Sequence, residues 1–370
     1  MHRIAETEFG PLGRTYLNTA GYGLPTAGTL TALRDALDSW RDGSADWVTD
    51  WDVAGDRCRA LAAPMLGAPT DEIALLPAVS VGVGVVLGKL RPGDEIVVPE
   101  GEFASVLLPV LVAAKARGIT VREVAFDDLA NQLRPGTALV ATSQVRSNDG
   151  RVQDLAVLAA AARSVGAAIL VDATHAAGIL PVDAVALGLD FVVVAAYKHL
   201  LCPRGVALMR IAREHWATVP PIVASWRSAG EAYAHYYGPR LSDLAESAAR
   251  YDVSLAWHAW VGAERALDFL SGVPAAERRD WCVGLADQTA KLLGRPATGS
   301  SVLAVPVRRP DRVRAALKEA RIVTSVPPPS GSGADTQVRI SFHLYNDSSD
   351  VQRVAEVLEP HVSESEGNTR

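Results

Sequence analysis

One lysine in this chain of 370 residues lies where its amine could do chemistry. Lys198 directly follows the apolar run FVVVAAY and precedes HLLCPRG, so it lies where a buried strand opens into a loop. An amine held away from water has a lowered pKa and can form a Schiff base with a carbonyl group, which arginine cannot do. The plainer interpretation is a lysine with a buried stem and a solvated charge. Lysine is scarce here, because 31 of the 36 basic residues are arginines.

A carboxylate and an imidazole come at the end of the preceding predicted strand. Asp172 ends the run AAILVDA, and His175 follows it in VDATHAAG. An aspartate at a strand end often only caps a turn or a helix. Pyridoxal phosphate, however, needs a lysine for its aldehyde and a carboxylate that keeps its ring nitrogen protonated. Asp172, His175 and Lys198 at consecutive strand ends therefore favour this cofactor, with His175 as a further contact with the ring.

The phosphate group of such a cofactor needs a cradle, which the segment LLPAVSVGVGVVLG offers at a predicted helix N-terminus. Free N–H groups and the helix dipole favour an anion there. The glycines that begin at Gly82 read GxGxxxG and resemble the dinucleotide fingerprint, with Glu100 as its acid. That fingerprint requires GxGxxG, so the spacing is one residue too long. A dinucleotide site would also leave Lys198 and Asp172 without a role.

Seven short apolar runs between residues 73 and 211 alternate with alanine-rich segments of helical spacing. Runs that are apolar throughout are typical of parallel strands covered by helices on both faces. The pattern predicts an α/β fold with a mostly parallel seven-stranded sheet, and ligands gather beyond the carboxyl ends of such strands. The predicted strands are IALLP (73–77), EIVVPE (95–100), TVREVAF (120–126), TALVATSQV (137–145), AAILVDA (167–173), FVVVAAY (191–197) and GVALMRI (205–211).

The pattern changes after about residue 240, where helices come first and are followed by strand, helix, strand and helix. This order predicts a smaller α+β domain whose strands are SVLAVPV and QVRISFHLY. The predicted organisation is an N-terminal arm with a large cofactor domain (1–240), a small C-terminal domain (241–362) and a disordered tail (363–370). The composition of PPPSGSGAD (327–335) predicts a surface loop.

Charge and cysteine content limit the partners to be expected. A net charge of -6 gives no electrostatic reason to expect nucleic acid or an anionic membrane surface. The three cysteines are odd in number and far apart, which fits neither a disulfide framework nor a metal site. No apolar run approaches the roughly 20 residues of a membrane span. We therefore expect a cytoplasmic protein with no metal, no membrane contact and a small-molecule substrate.

The order of these motifs resembles the aminotransferase class V family of fold-type I pyridoxal phosphate enzymes, which includes cysteine desulfurases, kynureninase and isopenicillin-epimerase-like proteins. The resemblance covers nearly the whole chain and implies a homodimer with active sites at the interface. The cofactor contacts that it implies are Ala78, Val79 and Ser80 at the phosphate, Phe103 stacked on the ring, Ser147 or Asn148 near the ring hydroxyl, Asp172, His175 and Lys198, and Ser254 of the partner subunit at the phosphate.

The same resemblance implies where an amino-acid substrate binds. In YLNTAGYGLP, Asn18, Ala20 and Gly21 would line the pocket for the substrate carboxylate, and Arg339 in RISFHLYN would grip that carboxylate. Arginine suits this role because it binds a carboxylate through two parallel hydrogen bonds. Three departures from the family pattern matter. The usual asparagine near the cofactor hydroxyl falls in QVRSNDG, where Ser147 or Asn148 could serve. Ser254 replaces the usual threonine, and Phe103 replaces the histidine that desulfurases stack on the ring.

Within the family, the chain resembles the carbon–sulfur lyases of ergothioneine biosynthesis, which cleave hercynylcysteine sulfoxide. The implied reaction is a β-elimination with Lys198 as general base, which yields pyruvate, ammonia and the sulfur product. A betaine substrate would contact aromatic faces, for which Tyr22 and Trp226 are candidates. A desulfurase needs a mobile cysteine late in the chain, and none follows Cys282.

Other class V chemistries remain alternatives: a desulfurase-like or kynureninase-like lyase, an epimerase or an aminotransferase. They share the cofactor site and differ in how the activated substrate reacts. A binding protein that keeps the fold without catalysis is a further alternative, which the intact Lys198, Asp172 and Arg339 disfavour.

Overall fold

A seven-stranded sheet forms the centre of the structure, a computed structural model that describes residues 2–234, 236–237, 243–326 and 336–363. The sheet order is β2-β8-β7-β6-β5-β3-β4, in which β8 is antiparallel to both β2 and β7 and all the other pairs are parallel. The strands are β1 (Thr15–Tyr16), β2 (Ile73–Leu76), β3 (Glu95–Pro99), β4 (Thr120–Val124), β5 (Thr137–Ser143), β6 (Ala168–Asp172), β7 (Phe191–Ala195), β8 (Ala207–Ile211), β9 (Val302–Val307), β10 (Ile322–Val323) and β11 (Thr336–Ser341). The predicted fold class is confirmed.

Helices cover both faces of the sheet. Along β7, Val192 and Val194 pack into one core, whereas Phe191 and Val193 pack into the core of the opposite face. Because both faces are buried, the strands are apolar throughout instead of alternating. The helices are α1 (His2–Phe9), α2 (Ala27–Asp42), α3 (Val53–Met65), α4 (Val79–Leu87), α5 (Ala104–Arg117), α6 (Leu155–Val165), α7 (Ala184–Leu187), α8 (Trp257–Ser271), α9 (Ala275–Leu292), α10 (Pro310–Glu319) and α11 (Ser348–Leu358).

Local sequence signals place the ends of these helices. The side chain of Asp154 accepts a hydrogen bond from Val157 N–H and caps the start of α6. Gly166 ends α6 and Gly118 ends α5, both in the left-handed conformation that glycine adopts without steric cost. These helices return the chain to the amino end of the next strand, so every parallel strand delivers its last residues to the same edge of the sheet.

A second unit surrounds the antiparallel pair of β9 and β11, which α9, α10 and α11 enclose around a third core. The N-terminal arm joins this unit, because β1 pairs with β10 and Leu17 lies in the third core. By contrast, α8 packs on α2 and α3, and its Trp260 lies in the core of the large sheet. The predicted domain boundary lies among residues 238–242. That stretch, the predicted loop at 327–335 and residues 364–370 of the predicted tail are outside the described residues.

The strand predicted over QVRISFHLY ends at Ser341, four residues early. Asn346 turns the chain there, since its side-chain oxygen accepts from His343 N–H at 3.0 Å and its side-chain nitrogen donates to Tyr16 O at 2.9 Å. Phe342, His343 and Tyr345 are therefore buried in a loop and do not extend the sheet. Within the described residues, none of the helices is long and apolar enough to span a bilayer.

Candidate active site

Lys198 lies three residues beyond β7, at the carboxyl edge of the sheet, with only 5% of its surface exposed. Its Nζ is 3.2 Å from Nε2 of His175 and 5.0 Å from the centre of the Phe103 ring. Burial lowers the pKa of Lys198 to about 8, the carboxylate of Asp172 opposes this shift, and the cation of Arg339 reinforces it. Desolvation outweighs the nearby carboxylate, so about a tenth of the amine is unprotonated at pH 7 and about half at pH 8.

Asp172 ends β6 beside this lysine and is buried. Burial raises the pKa of its carboxyl group, while the N–H of Thr174, 2.9 Å from Oδ1, and the charge of Lys198 oppose the shift. His175 follows in the same turn, and burial together with the charge of Lys198 lowers its pKa well below the usual range. The imidazole is therefore neutral at pH 7. Its Nδ1 is buried with no hydrogen-bond partner in the described part of the chain.

One cavity brings these groups together. Asp172, His175 and Lys198 lie in its wall, as do Val79, Phe103 and Ser147 from the sequence-based set. Three other predicted cofactor contacts are sequence neighbours of these wall residues. Ala78 and Ser80 flank Val79 in the chain, and Asn148 follows Ser147. The remaining wall residues are Ser105, Ser143, Thr174, Ala195 and Tyr197.

The N-terminus of α4 opens onto this cavity through Val79. Ala78 holds the cap position in an extended conformation, and no side chain of the described residues caps the helix. The first N–H groups of an α-helix have no partner within the helix, and together with the dipole they favour an anion. The backbone N–H groups of this first turn, which includes Ser80, can therefore hold a phosphate group.

A second cavity of about 330 Å³ adjoins the first and shares Phe103 and Ser147 with it. Arg339, on β11, lies in its wall and donates from Nη1 to the carbonyl oxygen of Ser147 at 2.8 Å and to its hydroxyl at 3.0 Å. Its Nε is buried without a partner among the described residues. Burial lowers the pKa of Arg339, as expected for a guanidinium that pairs with no carboxylate of the described residues. The arrangement fits a substrate carboxylate.

The N-terminal motif lies against the lysine loop and β11 without entering either cavity wall. Ala20 N–H donates to Ser341 Oγ at 2.7 Å, and Asn18 forms a backbone bridge with Ser341, two residues from Arg339. Gly23 N–H donates to Tyr197 O at 2.8 Å, and a β-carbon at Gly23 would overlap the carbonyl oxygen of Lys198. Only glycine allows this close approach. Gly21 packs on the side chain of Asn18, and Tyr22 is 54% exposed.

Trp226 and Ser254 lie together but are not in the walls of the two cavities. The indole N–H of Trp226 donates to Ser254 Oγ at 3.4 Å. Trp226 belongs to an aromatic cluster, which consists of Trp47, Trp226, Tyr233, Tyr236 and Trp257, with neighbouring ring centres 5.1 to 6.4 Å apart. The expected roles of Trp226 and Ser254 at the cofactor or substrate therefore stay predictions.

Glu102 is a site residue that the sequence reasoning missed. Its carboxylate accepts hydrogen bonds from Ser143 N–H at 2.7 Å, from Ser143 Oγ at 2.6 Å and from Phe103 N–H at 2.6 Å. Burial raises the pKa of Glu102, and these hydrogen bonds oppose the shift. Glu102 thereby ties the segment that carries the Phe103 ring to the end of β5. The signal available in the sequence was an acid directly before the predicted stacking residue.

Comparison with known proteins identifies the family. The sequence profile of the aminotransferase class-V family matches residues 53–354. The chain belongs to this family. It is 32% identical over 176 residues to a probable cysteine desulfurase of Methanothermobacter thermautotrophicus and 26% identical over 265 residues to a kynureninase of Deinococcus radiodurans. These alignments cover 45% and 70% of this chain, and 44% and 63% of the two relatives.

Solved structures share the fold of this class-V chain over nearly its whole length. A cysteine desulfurase from Thermococcus onnurineus NA1 superposes with a TM-score of 0.83 at 21% identity, covering 97% of both chains. The cystine C-S lyase C-DES, solved with its product cysteine persulfide, superposes with a TM-score of 0.83 at 23% identity, covering 95% of this chain and 99% of the lyase. A variant of that lyase was solved with glycine linked to its pyridoxal phosphate cofactor.

Pyridoxal phosphate, the cofactor of the class-V family, is the cofactor of this chain, as the sequence predicted. The residues present fit it. Lys198 offers a buried amine of lowered pKa, Asp172 a buried carboxylate, and Phe103 a ring 39% exposed beside them. The uncapped start of α4 offers the phosphate site.

We expect the covalent attachment of pyridoxal phosphate to the cofactor-free protein to follow the titration of Lys198. Because the free amine is the nucleophile, the attachment rate should rise about tenfold per pH unit below pH 8 and level off above it. Stopped-flow absorbance of the bound cofactor measures the rate. Free lysine, titrated in parallel, reports the cofactor's own pH dependence, and the Lys198→Arg variant should show no attachment. A midpoint near the ordinary lysine pKa of about 10.4 would contradict the desolvated amine.

Proposed function

We propose that this protein is a pyridoxal phosphate-dependent carbon–sulfur lyase that carries out β-elimination on a cysteine S-conjugate sulfoxide. The substrate that we propose is hercynylcysteine sulfoxide, which is cleaved to pyruvate, ammonia and the sulfur-bearing precursor of ergothioneine. The observation that carries the choice of elimination over sulfur transfer is the burial of every cysteine in the chain.

Cys58, Cys202 and Cys282 are all free, and at most 4% of any of them is exposed. Burial raises the pKa of each thiol above its usual range. A protein that takes sulfur as a persulfide needs a thiolate that reaches the substrate, since the thiolate is the nucleophile. The sequence contains no fourth cysteine. These facts favour release of the sulfur product directly into solution.

The residues of the two cavities suit this reaction. Bound pyridoxal phosphate supplies an aldehyde that joins amino groups and a protonated ring that withdraws electrons from the substrate α-carbon. Arg339 binds the substrate carboxylate, and the freed amine of Lys198 takes the α-proton as general base. Asp172 holds the proton on the ring nitrogen. The electron pair of the broken carbon–sulfur bond leaves with the sulfur, and hydrolysis of the remaining three-carbon unit gives pyruvate and ammonia.

We also propose that the active protein is a homodimer whose subunits complete each other's sites. The support is the position of Ser254 and Trp226, which are hydrogen-bonded to each other and lie apart from the cavities of their own chain. The aromatic cluster beside them exposes 40% of Tyr233 and 43% of Tyr236. Aromatic faces attract quaternary ammonium groups by about 0.5 to 2 kcal/mol. The cluster, with Tyr22, would recognise the trimethylammonium group of the substrate.

A second candidate is a desulfurase-like or kynureninase-like reaction at the same site, which the names of two curated relatives support. A desulfurase would leave alanine and a protein-bound or reduced sulfur, whereas a kynureninase would cleave a carbon–carbon bond. The organic product therefore separates the candidates, since pyruvate with a stoichiometric sulfur-bearing product arises only by elimination.

The test is product analysis with synthetic hercynylcysteine sulfoxide in the presence of a thiol reductant. We expect one pyruvate and one ammonia for each ergothioneine formed, and no alanine. The Cys202→Ala and Cys282→Ala variants should keep turnover within about twofold, because neither thiol reaches the substrate. Alanine as the main product, or loss of turnover in Cys202→Ala with an unchanged melting temperature, would overturn the proposal.

A further inference from the structure

Three buried imidazoles form a row behind Lys198 that the proposed reaction does not use. His175 contacts Lys198, and the His199 ring lies edge-on to it with ring centres 5.4 Å apart. His343, from the loop after β11, stacks on His199 with centres 6.0 Å apart, and Tyr345 stacks on His343 at 5.5 Å. His199 and His343 have no exposed surface, and 4% of His175 is exposed. The row joins the lysine loop to the second unit.

Four ring nitrogens in this row have no partner among the described residues: His175 Nδ1, both nitrogens of His199, and His343 Nδ1. Buried polar groups are normally hydrogen-bonded to protein or to ordered water, because leaving them unpaired costs free energy. The four nitrogens belong to rings that are in contact with each other, so they share one interior region. Proteins hold ordered water in buried polar regions that have room for it, where it bonds to the unpaired groups.

The protons on these rings can be assigned. Burial lowers the pKa of all three imidazoles, that of His343 to about 4, so each carries a single proton at pH 7. The ammonium form of Lys198 can only donate, so His175 Nε2 accepts and the proton of His175 lies on Nδ1. His343 Nε2 donates to the carbonyl oxygen of His199 at 3.0 Å, so His343 Nδ1 is a bare acceptor. At the His175 end of the row, Nδ1–H is therefore a donor, and at the His343 end, Nδ1 is an acceptor.

His199, in the middle of the row, has one donor and one acceptor nitrogen when neutral, which matches both neighbours. We propose that bridging water molecules join His175, His199 and His343 into one hydrogen-bonded row, and that His199 is the positioning residue that keeps the proton of His175 on Nδ1. The lone pair of His175 Nε2 then always faces the amine of Lys198. Without His199, the proton of His175 moves to Nε2 in part of the molecules, and Lys198 loses its acceptor.

The tautomer of His175 is directly measurable in the cofactor-free protein. With ¹⁵N-labelled histidine, long-range ¹H–¹⁵N spectra at pH 7 should show His175 as the Nδ1–H tautomer and His343 as the Nε2–H tautomer. In His199→Phe, which keeps the ring but removes both nitrogens, we expect His175 to become a mixture of tautomers. His199→Gln offers a donor and an acceptor again and should restore the single tautomer. His361→Phe changes a histidine outside the row. It is the control and should leave the His175 signals unchanged.

A second readout is the pH midpoint of covalent cofactor attachment at Lys198. We expect His199→Phe to move this midpoint downwards by about half a unit, because the ammonium form of Lys198 loses a hydrogen bond. The titratable or charged groups that act on the row are Lys198, Arg278, Arg339 and Tyr345, and Asp172 acts in turn on Lys198. None of them is changed by the substitution, so a shift reports on the row itself.

Each outcome of the tautomer and midpoint measurements either supports or contradicts the proposal. Neither measurement depends on which sulfur substrate the protein takes. An unchanged His175 tautomer together with an unchanged midpoint in folded His199→Phe would overturn the proposal. If that variant does not fold, His343→Phe removes the far acceptor and should instead perturb the tautomer of His199, and an unperturbed His199 would count against the row. A high-resolution crystal structure with no ordered water between the three rings would also contradict it.

Discussion

Replacing Lys198 with alanine is expected to lower the rate of pyruvate release from a cysteine S-conjugate by at least about 10³-fold. General-base catalysis alone contributes about 10² to 10⁴-fold, and the substitution also removes the covalent link to the cofactor. Lys198 is the single lysine in the walls of the two cavities, so no other amine is placed to replace it. Coupled assay of pyruvate measures the rate, and absorbance of the purified variant reports the loss of the covalent cofactor.

Lys115 offers a matched control for this experiment, because it is exposed on α5 and lies in neither cavity wall. The Lys115→Ala variant should keep turnover within about twofold, since surface substitutions rarely affect a distant site. A Lys198→Ala protein that retains both the covalently bound cofactor and turnover would show that another residue holds the cofactor. The assignment of the general base would then be wrong.

Replacing Arg339 with alanine is expected to lower kcat/KM for amino-acid substrates by about 100-fold, mostly through a higher KM. This corresponds to the roughly 3 kcal/mol that a hydrogen bond between charged groups contributes. The Arg339 side chain is half-buried, and among the described residues its Nε has no partner and no carboxylate forms an ion pair with it. Arg339→Lys keeps the charge but loses the two parallel hydrogen bonds, so we expect a smaller loss of about tenfold.

A substrate without a carboxylate makes this experiment specific. The decarboxylated analogue of the cysteine S-conjugate should react slowly and at the same rate with the original protein and with Arg339→Ala, because neither complex contains the ion pair. Arg312→Lys, an exposed change on α10, should leave both substrates unaffected. If Arg339→Ala lowered the rate for both substrates equally, Arg339 would serve the structure of the site instead of binding the carboxylate.

The fold could be predicted from the sequence because the large sheet is specified locally. Runs such as FVVVAAY are apolar on both faces, which is typical of short strands covered by helices on both sides. Glycines at the ends of α5 and α6 mark where the helices stop. The end of the last strand could not be predicted in this way. The apolar pattern continues through Tyr345, but the side chain of Asn346 turns the chain after Ser341 by bonding to a segment 330 residues away.

For the candidate site, the sequence predicted which residues lie at strand ends and therefore close to each other. Asp172 ends β6 and Lys198 follows the end of the adjacent parallel strand β7, and that topology places both residues at one edge of the sheet. Long-range packing decides the contacts that the sequence did not indicate. Glu102 accepts a hydrogen bond from Ser143, which ends the neighbouring strand β5. Arg339, in the second unit, donates a hydrogen bond to Ser147, 192 residues away in the chain.

By itself, then, the sequence predicted the class of the fold and the cofactor, both of which are confirmed, and it indicated Lys198 as the reactive lysine, which stays a prediction. Each of these follows from short segments whose periodicity and residue types act locally. Tertiary structure alone decided the electrostatics. It sets how deeply Lys198 is buried and, within the part of the chain that the structure describes, which guanidinium lacks a counter-ion and which imidazole nitrogens lack partners. The physical reason is that desolvation depends on every atom within several ångströms of a group, and those atoms come from segments far apart in the chain.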